Sequence, residues 1–180
     1  MNWKHADLAA ILQTTDAHII LIQEPSKVPL VPSCSDTDPD GIAIYGTVKH
    51  SLWEMYLPPF QTPYPHVVTF VKKMILPLFT ISTIDCFASY HSLGLSFTHL
   101  DFSFHLLKFY HHVTDKTPNL SHLLHTHIDD AIPTILCGDF NTHSCSWSPP
   151  NISPSLWLDS LELWLDNHSF FSTVPEHTIT

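Results

Sequence analysis

A chain of 180 residues is long enough for one domain with a buried core, and 44% hydrophobic with 12% aromatic content excludes a disordered segment. Seven lysines, no arginine and seventeen acidic residues leave a formal net charge of −10, which argues against a surface built to grip a nucleic-acid backbone. The longest apolar stretch, "MILPLFTI" from Met74, is short and interrupted by Pro77, which excludes a helix across a membrane. Cys34, Cys86, Cys137 and Cys145 follow no signal-peptide pattern, so they read as reduced thiols of an intracellular protein.

In chain order, Leu8, Ile11 and Leu12 have helical spacing and predict a short opening helix. "HIILIQEP" follows, with four consecutive apolar residues and a proline stop, which predicts a strand buried on both faces. "CSDTDPDG" is turn-rich. "IAIYGTV" and "VVTFVKK" predict further strands, separated by the proline-dotted "LPPFQTPYPH". Residues 78–110 predict two or three more, among them "FSFHLLKFY". Leu120, Leu123, Leu124 and Ile128 form a helical stripe after Pro118. "TILCG" predicts another buried strand. Ser153-Pro154 has the form of a helix start, followed by the stripe Trp157, Leu161, Trp164, Leu165. No repeat and no linker is visible, so residues 1–180 read as a single α/β domain.

Two of the predicted strands, "IILIQE" and "TILCGD", end on carboxylates, Glu24 and Asp139. The carboxyl ends of strands in α/β sheets are where ligand crevices form. If the chain stays extended, Asn141 projects to the same side as Asp139. Glu24, Asp139 and Asn141 would then be hard oxygen donors suited to Mg²⁺, with open positions for water and a phosphate. Spacing alone equally fits a solvated strand end at Glu24 and an Asx-turn at Asp-Phe-Asn.

"LIQEP", followed more than a hundred residues later by "GDFNTHSCSW", resembles the endonuclease/exonuclease/phosphatase superfamily, and within it the endonuclease domain of non-LTR retrotransposons. "HVVTFVKK", "LLKFYHHVTDKTPNLSHLL" and "LELWLDNHSFFSTVPEHTIT" extend the resemblance over nearly the whole chain. It implies a four-layer α/β/β/α sandwich of two mostly antiparallel sheets. It also implies a Mg²⁺-dependent phosphodiesterase, with Mn²⁺ as an alternative, that nicks DNA beside a reverse transcriptase, with the nucleus as a fitting compartment. Carried over residue by residue, Glu24 is the metal ligand, Asp139 orients or activates the attacking water, and Asn141 holds the phosphate or the nucleophile. Tyr110 contacts the phosphate, while His143 and Trp147 shape the pocket wall.

The pattern also departs from the family. The first strand with its asparagine is missing ahead of Asn2, and no C-terminal Asp and Asp-His block follows Thr180, so the resemblance implies a domain truncated at both ends. Lys108 stands where an asparagine is usual. Fifteen histidines with no arginine fit the decay of CG-rich arginine codons in a mobile-element fragment. Two other readings follow: a catalytically dead remnant of the domain, or a relative acting on phospholipid or inositol phosphate. The histidine patches at His111-His112, His125/His127 and His143/Cys145 lack structural zinc spacing. Lys72 and Lys73 read equally as phosphate contacts or a solvated strand end. Trp157 and Trp164 read as core-facing helix residues.

Overall fold

The computed structural model describes residues 5–25, 28–29, 45–46, 49–58, 66–89, 91–111, 123–141 and 158–171. These fall into two compact units, one of Met1–Tyr110 with Ile132–Asp139, the other of His111–Ala131 with Phe140–Thr180.

The first unit opens with helix α1 (His5–Thr14), as the spacing of Leu8 and Leu12 predicts. Strands β1 (Ile19–Gln23), β4 (Trp53–Tyr56) and β5 (Val67–Lys72) form one antiparallel sheet in the order β1-β5-β4. The short pair β2 (Val28–Pro29) and β3 (Tyr45–Gly46) lies in the region of "IAIYGTV", most of which is outside the described residues. The second large sheet runs β6 (Thr80–Thr83), β7 (Ser92–Thr98), β8 (Ser103–Tyr110), β9 (Thr134–Asp139), antiparallel except for the parallel β8–β9 pair.

Strand β5 explains how these layers stack. Every residue from Val67 to Val71 is buried, because both faces of the strand are covered. Val67 and Val71 pack against Leu93, Leu95 and Phe97 of β7 and Leu106 and Tyr110 of β8, so the two sheets meet face to face. On the opposite face Val68 and Phe70 join Ile22 and Trp53 under Leu8 and Leu12 of α1. Strand β1 is covered in the same way: Ile19 and Leu21 pack toward the sheet interface, Ile20 and Ile22 toward α1. The expectation of a strand packed on both faces is met, although only Ile22 is fully buried.

Helix α1 ends on borrowed partners. Its last carbonyls lack donors within the helix. The indole of Trp53 donates to Leu12 O at 2.7 Å, and Lys72 Nζ donates to Thr15 O at 3.2 Å while sitting 5.6 Å from the Trp53 ring centre. Lys72 is thus a helix-end cation and not a free phosphate contact.

Two expectations need correction. "TILCG" is a strand but not a buried one: Ile135 is 55% exposed, because among the described residues β9 has a neighbour only on its β8 side. The stripe from Leu120 does not reach Ile128 as a helix; the chain turns after Leu124, with Thr126 N donating to Leu123 O at 2.9 Å. The apolar run from Met74, whose sequence excludes only a membrane span, begins within a 3₁₀ helix, Lys73–Leu78, that contains Pro77 and no buried residue, and ends in β6.

In the second unit, helix α2 (Leu158–Asn167) buries Leu161 and Trp164, as the amphipathic stripe predicts, and also Leu158, which the stripe did not include. Leu123 and Ile128 are also buried. Trp157, Ser153-Pro154 and "CSDTDPDG" lie outside the described residues. Among the described residues no helix is long and apolar enough to cross a membrane.

Candidate active site at the strand ends

One step beyond the end of β1, Glu24 continues the ladder: its N–H donates to His66 O at 2.8 Å. Its φ of 45° is left-handed, a region costly for a residue with a Cβ, and more so ahead of Pro25. In the other sheet, the Tyr110 N–H donates to His91 O at 2.7 Å, and Tyr110 is paired with Asp139 across the parallel β8–β9 ladder. The two sheet ends are joined by side chains, since the Tyr110 hydroxyl donates to Glu24 Oε1 at 2.7 Å. Rings surround that bond: His66 stacks on His91 at 4.8 Å and 7°, and on Tyr110 at 5.7 Å and 19°.

Gly138 permits this geometry. A Cβ there would overlap the Phe109 carbonyl oxygen, so only glycine lets β9 lie this close to β8 immediately before Asp139.

Beneath the surface cluster is a buried cation. Lys108, on the same face of β8 as Leu106 and Tyr110, is 5% exposed. In the orientation that its neighbours' donors require, the Gln23 carboxamide oxygen accepts from Lys108 Nζ at 2.9 Å and from the Asp139 N–H at 2.5 Å. Burial lowers the Lys108 pKa to about 8, and the nearby Cys137 and Asp139 offset part of that shift. The Cys137 thiol is pushed up by burial, Lys108 pulling the other way, and donates weakly to Leu107 O at 3.6 Å.

Of the residues singled out in the sequence, Glu24, Tyr110 and Asp139 are brought together at these strand ends. Asn141 belongs to the second unit. Its φ of 44° breaks the extended chain that the side-by-side projection with Asp139 requires, and its amide donates to the His111 carbonyl oxygen. His143 and Trp147 lie outside the described residues. Gln23, His66, His91 and Lys108 were not assigned roles from the sequence. His66 and His91 are legible only once strand register is known, each being the next ladder partner of a predicted site residue.

The donor chemistry fits a hard divalent cation held sparsely. Among the described residues no three His, Cys, Asp or Glu side chains converge as a metal cage. Mg²⁺ does not need one; it commonly takes one or two carboxylates, keeps its waters and accepts a substrate phosphate. Glu24, partly exposed at a strand end and held by Tyr110, has that character.

Comparison with known proteins agrees with the resemblance. Residues 104–180 match the endonuclease-reverse transcriptase family. No curated protein matches the chain. The fold is similar to the endonuclease domain of TRAS1, a telomere-specific non-LTR retrotransposon, with a TM-score of 0.60 and 15% identity over 95% of this chain and 68% of that one. The α/β architecture with two facing sheets is therefore of the endonuclease/exonuclease/phosphatase type. The chain is thus similar to the endonuclease-reverse transcriptase family over residues 104–180, the stretch that holds Tyr110 and Asp139, and its fold is similar to that of a non-LTR retrotransposon endonuclease domain.

Proposed function

We propose that the chain is a divalent-metal-dependent phosphodiesterase that nicks DNA. The observation that carries this reading is the 2.7 Å bond from Tyr110 to Glu24, which joins the ends of two sheets beside the strand end that bears Asp139.

In this reading Glu24 is the ligand for Mg²⁺ or Mn²⁺. The ion, when bound, supplies charge to polarise a phosphoryl oxygen and to stabilise the leaving alkoxide. The chain's own residues do the rest. Tyr110 fixes the Glu24 carboxylate in one orientation and presents its phenol edge to the phosphate. Asp139, anchored through its N–H by Gln23, orients the attacking water and accepts its proton at a carboxylate oxygen. The resemblance would give Asn141 the role of holding the phosphate or the nucleophile. It would give His143 and Trp147, which lie outside the described residues, the role of pocket wall.

Nicking of supercoiled plasmid with Mg²⁺ tests this. Wild-type protein is expected to nick, with Glu24→Ala and Asp139→Ala slower by at least about a hundredfold. Equal activity in wild type and variants, or none in any of them, overturns the enzymatic reading and leaves a remnant domain. Phosphate release from inositol phosphates with plasmid left intact moves the substrate class instead.

A further inference from the structure

Lys108 takes no part in the chemistry above, yet it is a charged side chain enclosed between two sheets at the end where the site lies. A charge in such a place is costly, and a methionine of similar length would pack there without that cost. What the lysine gains is specific. Its Nζ donates to Gln23 at 2.9 Å, and the same Gln23 oxygen takes the Asp139 N–H. Gln23 immediately precedes Glu24, and Asp139 ends β9, so one carboxamide ties together the two strand ends that carry the site's carboxylates.

We propose, resting on the reading of this site as a metal-dependent phosphodiesterase, that Lys108 is a resident cation of the site. Its ammonium clamps Gln23 onto the Asp139 backbone, and so aligns Glu24 and Asp139 before any metal arrives. Its positive charge also repels an incoming divalent ion. Lys108 is therefore a positioning residue that trades metal affinity for a preformed site. A residue of purely structural value would behave oppositely, because its removal would loosen the site and weaken metal binding.

The test is Mn²⁺ binding to the full chain at pH 7, followed by the electron paramagnetic resonance signal of the free ion. Lys108→Met and Lys108→Gln are expected to bind about tenfold more tightly than wild type, the scale of a unit charge acting on a divalent ion through a partly aqueous medium. Lys108→Arg, which keeps the charge, is expected to stay near wild type, and Glu24→Gln to lose the site. Amide exchange at Asp139 supplies a second readout: it quickens about tenfold in Lys108→Met, where the clamp is gone. If both neutral variants bind Mn²⁺ no more tightly than wild type while Glu24→Gln abolishes binding, the resident-cation role is overturned and the metal-site reading stands. If Glu24→Gln binds like wild type, or no chain binds Mn²⁺, both fall together.

Discussion

At the scale of single residues, the site depends on a few contacts whose removal has separable effects. Tyr110→Phe deletes the 2.7 Å hydrogen bond to Glu24 and little else. Because Glu24 is partly exposed, the loss of stability is expected to be only about 1 kcal/mol by urea denaturation. Nicking, by contrast, is expected to slow by about tenfold or more, since the carboxylate loses its fixed orientation. Gly138→Ala is a different case. The added methyl meets backbone at Phe109, which no rotamer change relieves, so a loss of about 3 kcal/mol or more, or failure to fold, is expected in the same assay. Lys108 predicts a pH dependence. Its folded pKa of about 8 lies below its ordinary value of 10.5, so between those values the unfolded chain binds more protons than the folded one. Stability is therefore expected to rise as pH increases from 8 toward 10.5, by at most about 3 kcal/mol, and Lys108→Met is expected to abolish that rise. Glu24, Tyr110 and Asp139 were singled out in the sequence because motifs that resemble the family's mark them, and the structure brings the three to neighbouring strand ends. Lys108 was legible only as a departure from the pattern. Its role depends on Gln23, which reaches it from the opposite sheet, and a side-chain contact between sheets leaves no periodic trace in the sequence.

At the scale of elements, periodicity served where one face decides the matter. Leu8 and Leu12 in α1, and Leu161 and Trp164 in α2, lie at helical spacing and are buried as expected. Apolar runs were less informative. "VVTFV" and "TILCG" look alike in sequence, yet β5 is enclosed on both faces and β9 is half open, because strand position in the sheet is set by partners distant in the chain. The end of α1 offers a further prediction. Trp53→Phe keeps most of the apolar bulk but leaves Leu12 O without its indole donor. A loss of about 1–2 kcal/mol is expected, with faster amide exchange over the last turn of the helix as the distinguishing sign.

At the scale of the whole molecule, charge limits how the proposed DNA substrate could be held. The chain has seven lysines and no arginine. Lys108 and Lys72 are engaged internally, with Gln23 and the end of α1, which leaves five for phosphates. At roughly 0.9 counterions released per contact, the slope of log affinity against log salt can be no steeper than about −4.5. Fluorescence anisotropy of a labelled duplex over a salt series checks this, and a steeper slope would mean that charges outside these lysines contribute. An acidic chain with few such contacts is expected to bind DNA weakly and to rely on the metal-phosphate contact.

The bond between Tyr110 and Glu24 spans 86 positions of the chain, and its two ends belong to different sheets. Such a link cannot form while either sheet is assembling by itself; it requires the two to have docked. Long-range closures of this kind come late in folding, after the local ladders have formed. Tyr110→Phe should accordingly leave the refolding rate unchanged and speed unfolding, the signature of a contact absent from the transition state. The proposed activity would then return after secondary structure does, and so would serve as a clock for the last step of the chain's assembly.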